Sequence, residues 1–150
     1  MDAVRALKQV FIFKNVPEQV LEVVAQAAEE TSVSAGQVLF SSAEKPNALF
    51  VIRNGTVRLL AEDGKTPPVQ FGTGETVGEM LLIDGGPAGG TATALERADL
   101  LVIKAGRLNE ALAGHPEAGY QLYRAIAKSL AGRLRRAIGM LAFASERQDR

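Results

Sequence analysis

The spacing of apolar positions changes twice along the chain, which divides it into helical, β and helical regions. Near the start, VPEQVLEVVAQAAEE repeats apolar residues at helical spacing after a proline, a residue suited to a first helical turn; its apolar face consists of Val20, Leu21, Val24 and Ala28. Short runs of branched and aromatic residues separated by turns follow, which is typical of antiparallel β-structure. The pattern predicts N-terminal helices over 1–30, a β-barrel over 31–104 and C-terminal helices over 105–145.

Two turn motifs lie inside the β region. Asn54-Gly55 separates two apolar runs, which is the strongest short-range indication of a hairpin, and Asp63-Gly64 ends the second run. Turns this close together favour a meander or a jelly roll, and no period of about 20 to 50 residues repeats. We therefore expect one mainly β domain with flanking helices, an antiparallel jelly-roll barrel of the α+β class.

The C-terminal helix carries a heptad pattern. In YQLYRAIAKSLAGRLRRAIGMLAFASE, apolar residues follow one another at gaps of four and three, which is typical of a helix–helix interface. This heptad seam consists of Tyr123, Ala127, Leu130, Leu134, Ala137, Leu141 and Ala144. A second apolar face consists of Leu122, Ile126 and Ile138. Two apolar faces predict a homodimer; the alternative is a helix that packs only within its own domain.

Composition restricts the possible chemistry. The 17 basic and 17 acidic residues cancel, so the overall charge does not indicate nucleic acid or an anionic membrane as the main partner. The absence of cysteine excludes disulfides and thiolate sites, and a single histidine, His115, cannot form a histidine metal cluster. The first fifteen residues contain no secretory or membrane-spanning apolar stretch. We expect a cytoplasmic protein that is not an enzyme and binds no metal.

The stretch GEMLLIDGGPAGGTATA, from 78 to 94, contains five glycines, so its backbone N–H groups can approach an anion closely. A mobile surface loop would have the same composition. The glycine spacing of GGPAGGT is that of a P-loop, but Thr91 stands where the phosphate-binding lysine is required. The segment GTGETV lacks the third glycine of a dinucleotide-binding motif. Neither nucleotide motif is therefore present.

The longer segment FGTGETVGEMLLIDGGPAGGTATALE resembles the phosphate-binding cassette of cyclic nucleotide-binding domains. The resemblance covers most of the chain, because LKQVFIFKNVPEQVLEVVAQAAEE is similar to the family's N-terminal helices and ALFVIRNGTVRL to its strand, turn and strand with the typical glycine, Gly55. LLVIKAGRLNEALAGHPE is similar to its last barrel strand and B helix. The resemblance implies a sensor fold that binds cyclic AMP or cyclic GMP.

The resemblance also implies roles for cassette residues. In the family a glutamate, here Glu79, accepts a hydrogen bond from the ribose 2′-hydroxyl, although a carboxylate at this place can also act only as a helix cap. The family's phosphate-binding arginine is replaced by Ala88, after Pro87. Losing a charge-assisted hydrogen bond should weaken binding by about 10- to 100-fold. Ala137-Ile138 stands where some members read the purine with a Thr-Ser pair.

We therefore expect a regulatory domain that couples cassette occupancy to its dimerisation helix, with weakened or altered nucleotide binding. The alternative is a degenerate dimerisation or docking module that binds no nucleotide. Because the chain ends soon after the terminal helix, we expect no DNA-reading module in it; it is a free-standing sensor or a piece of a longer regulator. The expected ligand-binding residues are Val77, Gly78, Glu79, Met80, Leu81, Ala88, Gly89, Gly90 and Thr91.

Overall fold

The N-terminal segment is helical in the computed structural model, which describes residues 2–41, 47–84 and 89–148. Helix α1 (Ala3–Lys8) is followed by a short 3-10 helix (Phe11–Phe13) and by α2 (Glu18–Gln26). The predicted apolar face of α2 is buried, except that Ala28 is the first residue of a strand. The sheet thus begins three residues before the expected boundary at 31.

Eight strands form two four-stranded antiparallel sheets. They are β1 (Ala28–Val33), β2 (Val38–Phe40), β3 (Ala48–Asn54), β4 (Val57–Ala61), β5 (Val69–Phe71), β6 (Thr76–Val77), β7 (Gly90–Ala94) and β8 (Ala98–Lys104). The helix-side sheet has the order β1-β8-β3-β6, and the outer sheet has the order β2-β7-β4-β5. The expected jelly-roll class is confirmed, but the described strands pair only within each sheet and form a sandwich, not a closed barrel.

The turn at Asn54-Gly55 does not close a hairpin. Strand β3 pairs with β8 and β6, whereas β4 pairs with β7 and β5, so this turn carries the chain from one sheet to the other. The backbone of Gly55 (φ +112°) lies against the turn between β7 and β8, where Ala98 begins β8. The hairpin prediction was wrong because a turn motif specifies a sharp reversal but not the strands that pair after it.

The second turn motif lies between paired strands. Asp63-Gly64 lies in the loop between β4 and β5, which are antiparallel neighbours. The Asp63 carboxylate accepts hydrogen bonds from the backbone N–H groups of Lys65 and Thr66, both at 2.9 Å. Hydrogen bonds from the Thr66 side chain and from these backbone groups hold the pKa of Asp63 below its usual value. This local network fixes the loop that ends β4.

The core has two parts, one on each face of the helix-side sheet. Leu49 and Ile103 face the helices, where they pack with side chains of α2, α4 and α5. Phe50 and Leu100 face the outer sheet, and the ring of Phe50 lies 5.9 Å from that of Phe40. Strands β3 and β8 therefore contribute to both parts, as alternating side chains require.

Three helices complete the described chain: α3 (Glu79–Asp84), α4 (Ala105–Ala113) and α5 (Pro116–Gln148). The first half of α5 buries Leu122 and Ile126 against the helix-side core. From Arg133 to Arg147 every residue of α5 is exposed. Helix α5 has 33 residues and continues past the expected end at 145. Because its residues from Arg133 onward are exposed, about half of the helix is not covered by the domain.

We expect Gly55→Ala to lower the free energy of unfolding by about 2–4 kcal/mol, because the new methyl group would be strained and overpacked. Its Cβ would lie 2.8 Å from the Ala98 Cβ at a φ of +112°. Gly64→Ala is the matched control, since its φ is +66° but nothing lies within 4 Å of the added carbon. It should cost only about 1 kcal/mol. Urea unfolding curves measure both values, and equal losses would contradict the close approach at Gly55.

Candidate functional site

The glycine-rich cassette connects the two sheets. It leaves the helix-side sheet at β6, turns at Gly78 (φ +95°), forms α3 and enters the outer sheet at β7. Val77 pairs with Phe50 of β3, and Leu82 of α3 is buried in the helix-side core. The N-terminal half of the cassette is therefore held at two points, and Glu79 lies between them.

The Glu79 carboxylate lies between two polar partners. Its Oε2 accepts a hydrogen bond from the Thr76 hydroxyl at 3.3 Å. Its Oε1 lies 3.6 Å from Nη1 of Arg133, which projects from α5. The Glu79 side chain is 17% exposed and that of Arg133 is 41% exposed, so the pair borders solvent. A cassette carboxylate is thus in direct contact with the C-terminal helix.

The 3-10 helix supports the same arginine from the other side. The guanidinium carbon of Arg133 lies 4.5 Å from the centre of the Phe11 ring, which packs against the helix-side core. Arg136, one turn further along α5, lies 5.5 Å from the same ring. A guanidinium over an aromatic face is held by a cation–π interaction. The Arg133 guanidinium therefore contacts an N-terminal helix as well as the cassette.

The C-terminal half of the cassette, which the structure describes from Gly89 onward, begins with two glycines and therefore presents backbone groups. Gly89 has a φ of +74° and is exposed, while Gly90 starts β7 opposite Ala61. A Cβ at Gly90 would lie 2.5 Å from the carbonyl oxygen of Leu60, so this position requires glycine. Thr91 pairs with Leu60 and is half-buried. Ala88 lies outside the described residues.

The other expected ligand contacts differ in their surroundings. Gly78 is half-buried at the start of α3, within reach of the Glu79 carboxylate. Val77 is buried and packs in the core between the sheets, so its side chain supports the cassette from below. Met80 and Leu81 belong to α3, and their side chains are outside the described part of the chain. The structure thus places Gly78 and Glu79 together at the surface and Val77 beneath them.

Three other arginines, Arg53, Arg58 and Arg97, lie on strands or turns of the β region. Arg53 pairs with Glu30 at 3.3 Å, and Arg97 is 78% exposed with Asp99 at 3.9 Å. Arg58 lies on the outer face of the outer sheet, because its neighbours on β4, Val57 and Leu59, face the core between the sheets. Arg133, on the terminal helix, is the cation that the sequence pattern missed, because it lies 54 positions from Glu79 in the chain and only the fold brings the two side chains together.

The heptad seam on α5 is partly covered by the domain itself. Tyr123 and Leu130 pack against the helix-side core, and burial raises the pKa of the Tyr123 phenol. The remaining seam residues are exposed: Ala127, Leu134, Ala137, Leu141 and Ala144. The second face is divided as well, because Leu122 and Ile126 are buried whereas Ile138 is exposed. The exposed seam therefore belongs mainly to the second half of α5.

Within residues 2–41, 47–84 and 89–148, no group of three or more His, Cys, Asp or Glu residues is placed to hold a metal ion. Among the helices in these ranges, none combines the length and the apolar character that crossing a membrane requires.

This architecture is that of a known protein family. The model of the cyclic nucleotide-binding domain family matches residues 30–115, more than half of the chain. The chain belongs to this family. The match extends from β1 through the cassette and α4, so the resemblance that the cassette sequence indicated is confirmed.

Relatives of this cyclic nucleotide-binding domain occur within much larger proteins. Lysophospholipase NTE1 of Pyricularia oryzae is 29% identical over 115 residues, and that of Cryptococcus neoformans is 30% identical over the same length. Both alignments cover 75% of this chain but only 7% of the relative. The chain therefore corresponds to a small part of these lysophospholipases.

Solved structures agree on the fold. The N-terminal domain of a transcriptional regulator from Streptomyces coelicolor superposes with a TM-score of 0.73 at 28% identity, covering 91% of this chain and 94% of that one. The regulatory domain of Toxoplasma gondii PKA, crystallised with cAMP, superposes with a TM-score of 0.64 at 25% identity. That alignment covers 73% of this chain and 42% of the PKA chain.

Proposed function

We propose that this cyclic nucleotide-binding domain is a non-catalytic sensor that binds a purine cyclic nucleotide weakly and transmits occupancy to α5. The observation that carries the proposal is the contact between Glu79 and Arg133, 3.6 Å apart. Glu79 occupies the position of the family's ribose-binding glutamate, and Arg133 belongs to the helix that would carry the output. A ligand that engages Glu79 necessarily changes the surroundings of Arg133.

Weak affinity follows from Ala88. Without a guanidinium at this position, the cyclic phosphate loses a bidentate partner, and backbone amides near Gly89 and Gly90 are the remaining cassette donors. Cyclic AMP and cyclic GMP are the ligands to test, and the cAMP-bound PKA regulatory domain among the similar structures supports cAMP as the first choice.

The second candidate is a docking or dimerisation module that binds no nucleotide. The replacement at Ala88 favours it, as does the existing pairing of Glu79 with Thr76 and Arg133. In this case the carboxylate would be a structural link between the cassette and α5.

The output partner that we propose is a second copy of this chain. Leu134, Ala137, Ile138 and Leu141 project from the exposed half of α5 at spacings of three and four, and Leu134 and Leu141 are 61% and 72% exposed. Such a strip is typical of a coiled-coil seam. Pairing two α5 helices would bury it and would place the dimer contact directly beyond Arg133. A cytoplasmic location is consistent with this role.

We expect isothermal titration to detect cyclic AMP binding at micromolar to millimolar concentration. Glu79→Ala should abolish this binding because it removes the ribose acceptor, and Ala88→Arg should tighten it by about 10- to 100-fold because it restores the phosphate contact. Arg97→Ala, an exposed change in the turn between β7 and β8, is the control and should leave the binding heat unchanged. Absence of binding by both the native chain and Ala88→Arg would support the docking module instead.

Substituting both Leu134 and Leu141 by Glu should convert a dimer into a monomer, because four like charges would then meet in the paired seam. Sedimentation equilibrium measures the change. Ala142→Glu introduces the same charge about 100° around the helix from Leu141 and should leave the dimer intact. A native chain that sediments as a monomer at high concentration would exclude a dimer formed by this chain alone.

A further inference from the structure

We propose that Arg133 supplies, from α5, the phosphate-binding cation that the cassette lacks at Ala88. Glu79 would hold the ribose while Arg133 contacts the cyclic phosphate, so the ligand would bridge the cassette and the C-terminal helix. This inference rests on the proposed nucleotide binding and deepens it by naming the residue that replaces the missing guanidinium.

The position of Arg133 is suitable for this role. Its Nη1 lies 3.6 Å from the Glu79 carboxylate, and the two edges of a cyclic nucleotide ribose, the 2′-hydroxyl and the fused phosphate, are separated by only a few ångströms. A cation that lies beside the ribose acceptor is therefore close to the phosphate as well. Stacking on Phe11 restricts that side chain before ligand arrives, which lowers the entropy lost on binding.

The hydrogen-bonding capacity of the two side chains permits a shared ligand. A guanidinium has five N–H donors, and the separation from Glu79 engages at most one edge of it. The carboxylate has about four acceptor sites, and among the described residues it receives one hydrogen bond, from Thr76, besides the Arg133 contact. A ribose hydroxyl can therefore bind Glu79 while the free edge of Arg133 binds phosphate, and the carboxylate keeps the guanidinium in place.

Other arginines near the domain are less suitable. Arg53 is neutralised by Glu30, Arg97 is on an exposed turn beside Asp99, and Arg58 faces outward from the outer sheet. Arg136 shares the Phe11 ring with Arg133 but lies one helical turn further along α5, and its Nε approaches the Gly132 carbonyl at 3.5 Å. Arg136 therefore provides a control of the same charge, on the same helix and against the same ring.

The test is titration of the full chain with cyclic AMP at two salt concentrations. Arg133→Ala should weaken binding by about tenfold or more and reduce its salt dependence, because the screened phosphate contact is lost. Arg136→Ala should change the affinity less than about twofold. Ala88→Arg should then restore affinity in the Arg133→Ala background by a larger factor than it gains in the native chain, because both cations serve one phosphate.

Each outcome decides the inference. Unchanged or tighter binding by Arg133→Ala, or equal gains from Ala88→Arg in both backgrounds, would overturn it while leaving nucleotide binding in place. Binding by Ala88→Arg without binding by the native chain would also overturn it, because the pocket would be intact and Arg133 insufficient. Absence of binding by all variants, with normal thermal unfolding, would reject the proposed function and this inference together.

Discussion

Burial of the helix-side sheet on both faces is the constraint on which the rest of this structure depends. Because strand side chains alternate, β3 and β8 must be apolar on both sides, and the first five residues of β3, ALFVI, accordingly form a continuous apolar run. Each fully buried Leu or Ile contributes about 1.5–3 kcal/mol, so uncovering the face that holds Leu49 and Ile103 would remove a large share of the stability. The N-terminal helices, α4 and the first half of α5 are thus necessary parts of the fold.

The same constraint determines where the cassette lies. Thr76 and Val77 extend the helix-side sheet by pairing with β3, and Leu82 returns the chain to the helix-side core. Between these two fixed points Glu79 has little freedom. Helix α5 is fixed independently by Leu122 and Ile126, and Arg133 is among the first exposed residues beyond that packed half. The pair between Glu79 and Arg133 therefore joins two elements that are each positioned by the core.

Patterns within short sequence segments predicted part of the fold and of the candidate site, but not all of it. The buried face of α2, the β class and the start of a helix at Glu79 were all predictable, because each depends on spacing or motif within a short segment. The crossing at Asn54-Gly55 was not, since the choice of partner strands is made by distant residues such as Ala98. Nor could Arg133 be distinguished from its basic neighbours on α5, because which of them reaches Glu79 depends on how α5 packs on the domain. Tyr123 and Leu130 satisfied the heptad spacing, yet the domain itself covers them in part.

The geometry also limits how strong the coupling between cassette and α5 can be. A partly exposed ion pair such as Glu79–Arg133 contributes about 0–1 kcal/mol, whereas a charge-assisted phosphate contact contributes about 1.5–3 kcal/mol. Because the ion pair is retained, the ligand adds about 1.5–3 kcal/mol at Arg133, which corresponds to a shift of roughly 10- to 150-fold in an equilibrium of α5 that makes or breaks this contact. By reciprocity, pairing of α5 would raise ligand affinity by the same factor. A coupling of this strength gives a graded response. The ligand can shift the monomer–dimer equilibrium only where both monomer and dimer are populated at the working protein concentration.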